Sequence, residues 1–509
     1  MSIYPIAKII LILVSGFLLS LSAPGYNLLF IAWCGLAPLF VFIYTSKNVK
    51  ELVLYSFLFG FTYNLNYLHW IFSLHPLSWL GFSNGFSLFL SIAALFLVSV
   101  YNSMFFVLFS LLVFYLRNLS LKPYDRGLIH NVLVTVIWLV VFNKISASKW
   151  LLGFPWTLVE YSQYKNLYLI QIAEYFGSIS ISFILVFLNL LLSQITISLF
   201  SIEKISNRYI SKSPGEINSI IYGTLLSVIF IFGSSFFGMY LYHKNQEHFT
   251  DESKSVCVLQ GNLSLGVTRG SKQDIDHAKK IYSKLVKNSN ASLVILPEGA
   301  LPILFNNSPN IQSWLATLSK DKHSDIISGS YCKSGEALTN CAVLSKENKI
   351  SYYAKNRLVP FGEFTPCVFI LPKFAKRFAS NLVGDGFVSG KESLPLNTSI
   401  GKSGINICFE LIFPEIIRKL SLQKADFLVN ISDLSWFSND LIKKQFLSFA
   451  VFRAIENRKF VIIAANNGIS AFIEPNGRIK SQSLQKTEGV LLDWINPKDK
   501  ITFYAKYGW

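Results

Sequence analysis

Charged side chains are scarce in this sequence of 509 residues: they make up 15% of it, against 52% hydrophobic residues. Soluble domains carry nearer a quarter charged residues, so the scarcity excludes a wholly soluble protein. Nearly all long uncharged runs lie in residues 1–243. In residues 244–509 apolar and polar residues alternate, as in a globular domain. We therefore predict a transmembrane helical domain over 1–243 and a soluble domain over 244–509, which is long enough for its own core.

Metal-binding cysteine motifs are missing as well. The six cysteines show neither CxxC spacing nor a Cys/His pattern, so we expect no metal centre built on them. Cys332 and Cys341 could pair across a predicted hairpin if that domain lies outside the cytoplasm. Two small buried thiols are the preferred interpretation, because free cysteine packs as a small apolar residue.

A nucleic-acid site is not expected, although the net charge is +17, from 46 basic and 29 acidic residues. The basic residues are dispersed, and no basic stretch is interleaved with aromatic residues to form a platform. Attraction to anionic lipid headgroups and an excess of basic residues in cytoplasmic loops explain the charge better. The charge therefore predicts a membrane as the partner.

Seven membrane spans are predicted in residues 1–243, since about 20 apolar residues are needed to cross about 30 Å of hydrocarbon. Their approximate bounds are 5–22, 27–46, 51–74, 85–116, 128–143, 167–200 and 218–243. The fourth could be one tilted helix or two short ones, and two short helices would change the number of spans from seven. The first could be a cleaved signal peptide, but its basic region is weak and another span follows at once, which favours an uncleaved anchor.

Basic residues in the loops give the orientation. The loops after the first and third spans contain no Lys or Arg. Those after the second, fourth and sixth spans contain Lys47, Lys50, Arg117, Lys122, Arg126, Lys204, Arg208 and Lys212. By the positive-inside rule these even-numbered loops are cytoplasmic. Seven crossings then place residues 244–509 outside, which in a bacterium is the periplasm.

The loop after the fifth span, residues 144–166, lies outside by this count yet contains three lysines. It is also rich in aromatic residues and proline, namely Trp150, Phe154, Pro155, Trp156 and Tyr161. Two interpretations remain open. One is an interfacial aromatic belt, and the other is a wall of a lipid entry site that faces the outer domain.

Residues 244–509 interleave strand-like and helix-like stretches, which indicates an α/β layered domain. Predicted strands are 255–262, 291–297, 325–331, 403–408 and 426–432, a hairpin near 338–355, and two strands around the turn 474–477. Predicted helices are 272–288, 310–321, 414–423 and 441–458. The pattern leaves open whether the helices cover both faces of one sheet or one face each of two sheets.

Three predicted strands end on residues that could perform chemistry. Cys408 ends the strand 403–408 before a helix-like stretch, whose dipole would lower the pKa of a thiol. Glu298 leaves an apolar strand, where desolvation raises the pKa of a carboxylate and suits it to act as a general base. Lys355 leaves the hairpin, where an ammonium could stabilise an oxyanion. Each residue alone has a structural explanation, but the three together are far more specific.

In this combination the chain resembles the nitrilase superfamily of carbon–nitrogen hydrolases, whose Glu-Lys-Cys triad sits on an αββα sandwich. LPEGALP, YYAKNRLVPFGEFTP and INICFELIFPE cover the three positions, and VLQGN and AANNG flank them. With the multi-span half, including GFPW at 153–156, the resemblance narrows to the apolipoprotein N-acyltransferase family. It implies Cys408 as nucleophile, Glu298 as base and Lys355 as oxyanion stabiliser, with Glu363 and Glu410 orienting Lys355 and the incoming amine.

The resemblance also implies a function. An acyl chain from a membrane phospholipid, expected to be phosphatidylethanolamine, forms a thioester on Cys408. It then passes to the α-amino group of the diacylglyceryl-cysteine that begins an apolipoprotein, the last step of bacterial lipoprotein maturation. The enzyme is expected to be a cofactor-free monomer of the inner membrane, with its catalytic domain in the periplasm.

Two other functions were weighed against this one. The nearer is a membrane-tethered amidase or nitrilase that hydrolyses a small amide. The other is a transporter or receptor whose outer domain only binds a ligand, which predicts ionisable residues along a path through the spans. His69 is the main candidate for such a residue, and an interfacial histidine is its preferred interpretation.

The sequence departs from the family in three places. ISDLSWF at 431–437 stands where members usually have Ser-Asn-Asp-x-Trp-Phe, and Ile463 stands where an Arg is common. Many members continue into a final span beyond the position of Tyr507-Gly508-Trp509. The triad positions are unaffected.

Overall fold

The computed structural model describes residues 5–118, 128–149, 151–199, 214–264, 271–347, 349–366 and 386–508. Some residues used in the sequence predictions lie outside these ranges, namely Lys122, Arg126, Trp150, Lys204, Arg208, Lys212 and Trp509. The first half is helical. Its helices are α1 Pro5–Ser20, α2 Ala37–Thr45, α3 Val49–Tyr67, α4 Asn84–Asn118, α5 Leu128–Leu139, α6 Ala173–Phe176, α7 Ile179–Leu199 and α8 Pro214–Lys244.

Apolar composition and length allow some of these helices to cross a membrane. In the described ranges three helical stretches qualify: Asn84–Arg117, Leu128–Ile145 and Ile179–Ile197. Ile6–Ser20 and Leu29–Thr45 are shorter apolar stretches. The seven crossings and the two domain bounds remain predictions.

Several predicted spans have different bounds in the structure. The fourth is one unbroken helix, α4, rather than two short ones. The stretch 27–46 divides into a 3-10 turn at Leu29–Trp33 followed by α2, and α3 ends at Tyr67 before a second 3-10 turn, His69–Leu74. The helix expected from 167 begins only at Ile179, because Gly177 takes a φ of 73° and interrupts it.

The second half carries strands and helices in alternation. Its strands are β1 Lys254–Gln260, β2 Leu293–Ile295, β3 Leu301–Leu304, β4 Asp325–Ser334, β5 Ala337–Lys346, β6 Lys349–Ala354, β7 Leu396–Thr398, β8 Gly401–Ile407, β9 Phe427–Asp433, β10 Val461–Asn466, β11 Ala471–Ile473, β12 Ile479–Gln482 and β13 Gly489–Ile495. Its helices are α9 Lys272–Lys287, α10 Pro309–Lys322, α11 Pro414–Leu422, α12 Asp440–Asn457 and α13 Phe503–Tyr507.

Two sheets form, which settles the layering that the sequence left open. One has the order β13-β1-β2-β4-β5-β6 with β3 beside β4, and the other the order β12-β11-β10-β9-β8-β7. An apolar core lies between them, built from residues such as Val258, Ile295, Ile405, Ile407 and Val429. Helices α9 and α10 cover the outer face of the first sheet, and α11 and α12 cover that of the second. The domain is therefore an αββα sandwich, the expected fold class.

Sequence analysis does not predict four of the strands. β3 and β7 contain only four and three residues, too few for an alternating pattern. β10 is buried at every position, so it has no alternation either. β13 lies at an edge of the first sheet and exposes part of its apolar side chains.

Cys332 and Cys341 form a disulfide across the β4–β5 hairpin, with their Cα atoms 5.9 Å apart. The preferred prediction of two buried free thiols is therefore wrong. In the antiparallel register Cys332 lies opposite Thr339 and Cys341 opposite Ser330. The cysteines are thus diagonal neighbours on one face of the hairpin, a spacing within the range that a disulfide requires.

Helix α12 joins the two halves of the chain. Oε1 of Gln445 accepts hydrogen bonds from the indole nitrogens of Trp70 and Trp156, at 2.9 and 2.6 Å. Its Nε2 donates to the carbonyl of Tyr67. Just beyond the helix, Arg458 forms a buried ion pair of 2.8 Å with Glu174 of α6. The helical first half of the chain, called the membrane half below, therefore packs directly against the helical layer on the outer face of the second sheet.

Candidate active site

The three residues singled out from the sequence lie together where strands end. Glu298 follows β2, Lys355 follows β6 and Cys408 follows β8. Lys355 Nζ lies 3.1 Å from Oε1 of Glu298 and 2.8 Å from Oε1 of Glu363. The charges of all three groups act on the Cys408 thiol. Strand ends from both sheets therefore meet at one site.

Cys408 has an unusual backbone. Its φ of 50° lies in the left-handed region, which costs a residue with a side chain about 1–3 kcal/mol and is typical of functional sites. It opens a short 3-10 turn, Cys408–Ile412, and α11 begins only at Pro414. The prediction that a helix dipole lowers the pKa of this thiol is therefore wrong.

Burial, together with the neighbouring Glu298 carboxylate, instead raises the pKa of the Cys408 thiol well above its usual value. The resting sulfur is consequently protonated at neutral pH. Such a sulfur can act as a nucleophile only if a base takes its proton during the attack, rather than beforehand. The Glu298 carboxylate, whose charge acts on the thiol, is placed to act as this base.

Lys355 remains a cation in this site. It is 1% exposed, and burial alone would lower the pKa of its ammonium. Glu298 and Glu363 outweigh burial, so the pKa is raised. A fixed buried cation beside a nucleophile is the arrangement that stabilises negative charge on an oxygen in a transition state.

Glu363 is held by the turn that precedes it. The backbone N–H of Val359 donates to its Oε2 at 2.8 Å, which leaves Oε1 for Lys355. Phe361, between them, takes a φ of 61° that closes the turn. Glu363 therefore lies where it can orient the ammonium of Lys355.

Glu410 is placed differently from Glu363. Its oxygens accept hydrogen bonds from the hydroxyl of Tyr353 and from the backbone N–H groups of Asn356, Arg357 and Ile407. Burial raises the pKa of Glu410 to about 7. Its carboxyl group therefore holds two segments together: β8, which leads into Cys408, and the turn that follows Lys355. None of these hydrogen bonds joins Glu410 to Lys355, and its expected role in orienting Lys355 and the incoming amine remains a prediction.

Asn340 belongs to the site and was missed by the sequence analysis. Its Nδ2 donates to Oε1 of Glu298 at 2.7 Å and to Oε1 of Glu363 at 2.8 Å. It therefore bridges the same two oxygens that contact Lys355. A sequence signal was available, because this amide interrupts the otherwise apolar middle of β5 and is 4% exposed.

Asp433, in the segment that departs from the family pattern, also reaches the site. Its backbone N–H donates to Oε2 of Glu298 at 2.9 Å. Burial raises the pKa of its side chain to about 7, and Oδ1 accepts hydrogen bonds from Ser435 and Asn466. Both oxygens of Glu298 are thus fixed, one by Asn340 and Lys355 and the other by Asp433.

Aromatic residues of the loop 144–166 lie next to Phe409, the residue after Cys408. The rings of Phe154 and Trp156 stack with centroids 5.5 Å apart, and both stack on Phe409, at 6.1 and 6.4 Å. Phe409 directly follows Cys408. Of the two open interpretations, this contact favours a wall of the site over a belt in the interface.

Two family models match this chain. Residues 256–500 match carbon-nitrogen hydrolase, and residues 15–191 match the apolipoprotein N-acyltransferase N-terminal domain. The αββα fold and the first of these matches define an enzyme of the carbon–nitrogen hydrolase class. A solved structure of a carbon-nitrogen hydrolase from Helicobacter pylori is similar over 48% of this chain and 89% of its own, with 21% identity and a TM-score of 0.38.

Full-length relatives extend the match to both halves. An apolipoprotein N-acyltransferase of Geobacter metallireducens is 28% identical over 97% of this chain and 90% of its own length. One of Pasteurella multocida is 28% identical over 93% of this chain and 87% of its own. Over both halves the chain is similar to apolipoprotein N-acyltransferases. It is an acyltransferase, and its apolar helices and these relatives mark it as a membrane protein.

Proposed function

We propose that this enzyme transfers an acyl chain from a membrane phospholipid to the α-amino group of the N-terminal diacylglyceryl-cysteine of apolipoproteins, through a thioester on Cys408. The observation that carries the proposal is the contact of Lys355 with Glu298 and Glu363 beside a protonated Cys408. The relatives' name supplies the acceptor. The donor is phosphatidylethanolamine, which gives up its sn-1 chain.

In the first half-reaction Glu298 takes the proton of the Cys408 thiol while the sulfur attacks the carbonyl carbon of the ester. Lys355 stabilises the oxyanion of the tetrahedral intermediate. The C–O bond then breaks, and the lysophospholipid leaves with the proton that Glu298 returns to its oxygen. A neutral Glu298 cannot start this step, so the step needs its carboxylate form.

In the second half-reaction the α-amino nitrogen of the lipoprotein attacks the thioester carbon. Glu298 accepts a proton from the amine, and the C–S bond breaks to leave an amide. The proton returns to the sulfur, which restores the resting thiol. Two substrates that bind in turn to one covalent enzyme give ping-pong kinetics.

The proposed location is the inner membrane of a bacterium, with seven crossings and the sandwich in the periplasm. The disulfide between Cys332 and Cys341 supports the outer placement, since disulfides persist in oxidising compartments and are rare in the cytosol. Both substrates are lipid-anchored, so spans that hold a monomeric enzyme in the same bilayer raise their effective concentration at the site.

Mass spectrometry of the purified enzyme in phosphatidylethanolamine vesicles tests the thioester. We expect an acyl adduct on Cys408 that hydroxylamine removes and that Cys408→Ala lacks. The control Cys34→Ala, at an exposed position of the membrane half, should keep the adduct. Absence of the adduct from active enzyme contradicts the proposal.

A second assay separates the transferase from an amidase. Labelled phospholipid and a diacylglyceryl lipopeptide are added together, and the peptide is examined for an amide-linked label. Transfer is expected, with no release of ammonia from small amides. Ammonia release without transfer would favour the amidase instead.

A further inference from the structure

Seven residues, Asp433–Asn439, connect Glu298 with the membrane half, and we call them the strap. At one end the backbone N–H of Asp433 donates to Oε2 of Glu298 at 2.9 Å. At the other end Asn439 precedes α12 and lies against the 3-10 turn His69–Leu74 that follows α3. The strap therefore links the turn His69–Leu74 of the membrane half to Glu298, the proposed base, with a hydrogen bond at each end.

Three contacts from that one turn hold the far end of the strap. The side-chain Nδ2 of Asn439 meets Nε2 of His69 at 3.1 Å, and the backbone N–H of Asn439 donates to the hydroxyl of Ser73 at 3.3 Å. The ring of Phe437 packs edge-on against Trp70, with centroids 4.9 Å apart. The anchor is thus built from side chains of the membrane half.

The hydrogen bonds around His69 define its protonation state. Oδ1 of Asn439 already accepts from the N–H of Leu441, as the cap of α12. The Nδ2 atom can only donate, so Nε2 of His69 must be an acceptor. Nδ1 then carries the proton, facing the carbonyl of Asn66 and the hydroxyl oxygen of Tyr26, both at 3.0 Å. The contact therefore requires the neutral imidazole with its proton on Nδ1.

We propose that His69 is a positioning residue for acyl transfer: its neutral imidazole anchors the strap, and the strap presents the N–H of Asp433 to Glu298. This inference rests on the proposed function, in which Glu298 is the base. Loss of the anchor frees one oxygen of Glu298 from its fixed orientation. The thiol proton is then accepted less efficiently, because general-base catalysis depends on geometry.

The test compares His69→Ala and His69→Gln in the full-length enzyme in phosphatidylethanolamine vesicles. The readout is the single-turnover rate of thioester formation on Cys408, with the thermal midpoint measured beside it. We expect His69→Ala to lower the rate about tenfold, as for the loss of one hydrogen bond. His69→Gln should restore most of the rate, since its amide oxygen can accept from Asn439 at every pH.

Rescue by the conservative variant provides a readout that a merely structural role would not give. His69→Phe keeps a ring at this position but offers Asn439 no acceptor, so only His69→Gln should recover the rate. His75→Gln is the matched control, because His75 meets Ser87 within the membrane half and not the strap. It should leave the rate unchanged.

Distinct results overturn the inference and the proposed function. Wild-type enzyme that forms no thioester contradicts the proposed function. Wild-type enzyme that forms it at the same rate as His69→Ala contradicts only the role of His69. If His69→Ala does not fold, a rate of His69→Phe equal to that of His69→Gln contradicts that role equally well.

Discussion

Two carboxylates and two donors share the centre of the site, and the arrangement explains how it stays ordered. Oε1 of Glu298 and Oε1 of Glu363 each contact both Lys355 Nζ and Asn340 Nδ2. Without the two donors, the carboxylates would repel each other in a buried space. Oδ1 of Asn340 has no hydrogen-bond partner in the part of the chain that the structure describes. The side chain points Nδ2 at both carboxylates and thereby leaves Oδ1 without a partner. A buried acceptor without a hydrogen bond lowers the stability of the fold.

Asn340→Asp should be far more damaging than its small change of shape suggests. It replaces a donor to two carboxylates with a third negative oxygen, so thioester formation is expected to fall at least about 100-fold. Asn340→Ala should lower the rate less, about tenfold, because it removes the donor without adding charge. The control Asn397→Asp makes the same change at an exposed position of β7 and should be silent in the single-turnover assay. Equal rates for Asn340→Asp and wild type would contradict the bridging role.

The raised pKa of Cys408 gives a second prediction at this scale. Alkylation by iodoacetamide requires the thiolate, so its rate should keep rising above about pH 8.5, where an ordinary thiol is half ionised. Glu298→Gln removes a charge that raises the pKa. This variant should therefore be alkylated faster at a given pH, although it no longer forms the thioester. An alkylation rate that levels off below neutral pH would show instead that the resting sulfur is a thiolate.

At the scale of elements, β4 supports the turn that carries Glu298. A methyl group on Gly329 would lie 2.5 Å from Cα of Glu298 and from the carbonyl oxygen of Pro297. Only a glycine allows the turn to approach β4 so closely. The next strand, β5, carries Asn340, and the disulfide joins the two strands. The hairpin β4–β5 thus fixes the position of the base and of the amide that orients it.

Removing the disulfide should therefore weaken this part of the fold. Cys332→Ser with Cys341→Ser is expected to lower the free energy of unfolding by about 2–3 kcal/mol, because the bond closes a short loop in the unfolded chain. Thermal unfolding with and without a reductant measures the loss. Wild type should lose stability in the reductant, while the double variant should not respond. Cys34→Ser, which changes an exposed free cysteine, should respond to the reductant as wild type does.

At the scale of the whole molecule, α12 lies between the halves and is buried on nearly every side. Arg453 pairs with Glu456 within it, and Arg458 beyond it pairs with Glu174 of the membrane half. Removing one partner of such a buried ion pair destabilises the protein, because it leaves the other charge buried and unpaired. The two halves are therefore held in a fixed relative position through α12, and the strap ends where this helix begins.

Gln445→Leu tests this junction. The change leaves the indole N–H groups of Trp70 and Trp156 without their acceptor, at a cost of about 1–3 kcal/mol for each buried group. The thermal midpoint of the full-length enzyme in detergent should fall clearly. Gln423→Leu, at an exposed position after α11, is the control and should change the midpoint little. A midpoint that Gln445→Leu leaves unchanged would mean that the halves do not depend on this contact.

Local patterns in the sequence were sufficient for much of the catalytic half. Alternation located β1, short apolar runs located β8 and β9, and the residues that leave the predicted strand ends gave the candidates Glu298, Lys355 and Cys408. The four missed strands either have too few residues for an alternating pattern, are buried at every position, or lie at an edge. The wrong interpretation of the stretch after Cys408 has a similar cause, because a five-residue 3-10 turn and the start of a helix look alike over so few positions.

The amino-acid sequence by itself therefore determined an apolar half, an α/β half and three candidate reactive side chains, because these follow from local composition and from the direction of successive side chains. Only the tertiary structure decided the disulfide, the bridge at Asn340, the backbone contact of Asp433 and the anchor at His69. Apart from the disulfide, whose cysteines are nine residues apart, each of these joins residues distant in the chain, and no periodicity encodes which polar groups will form a hydrogen bond. That choice is made when the two sheets and the two halves pack together.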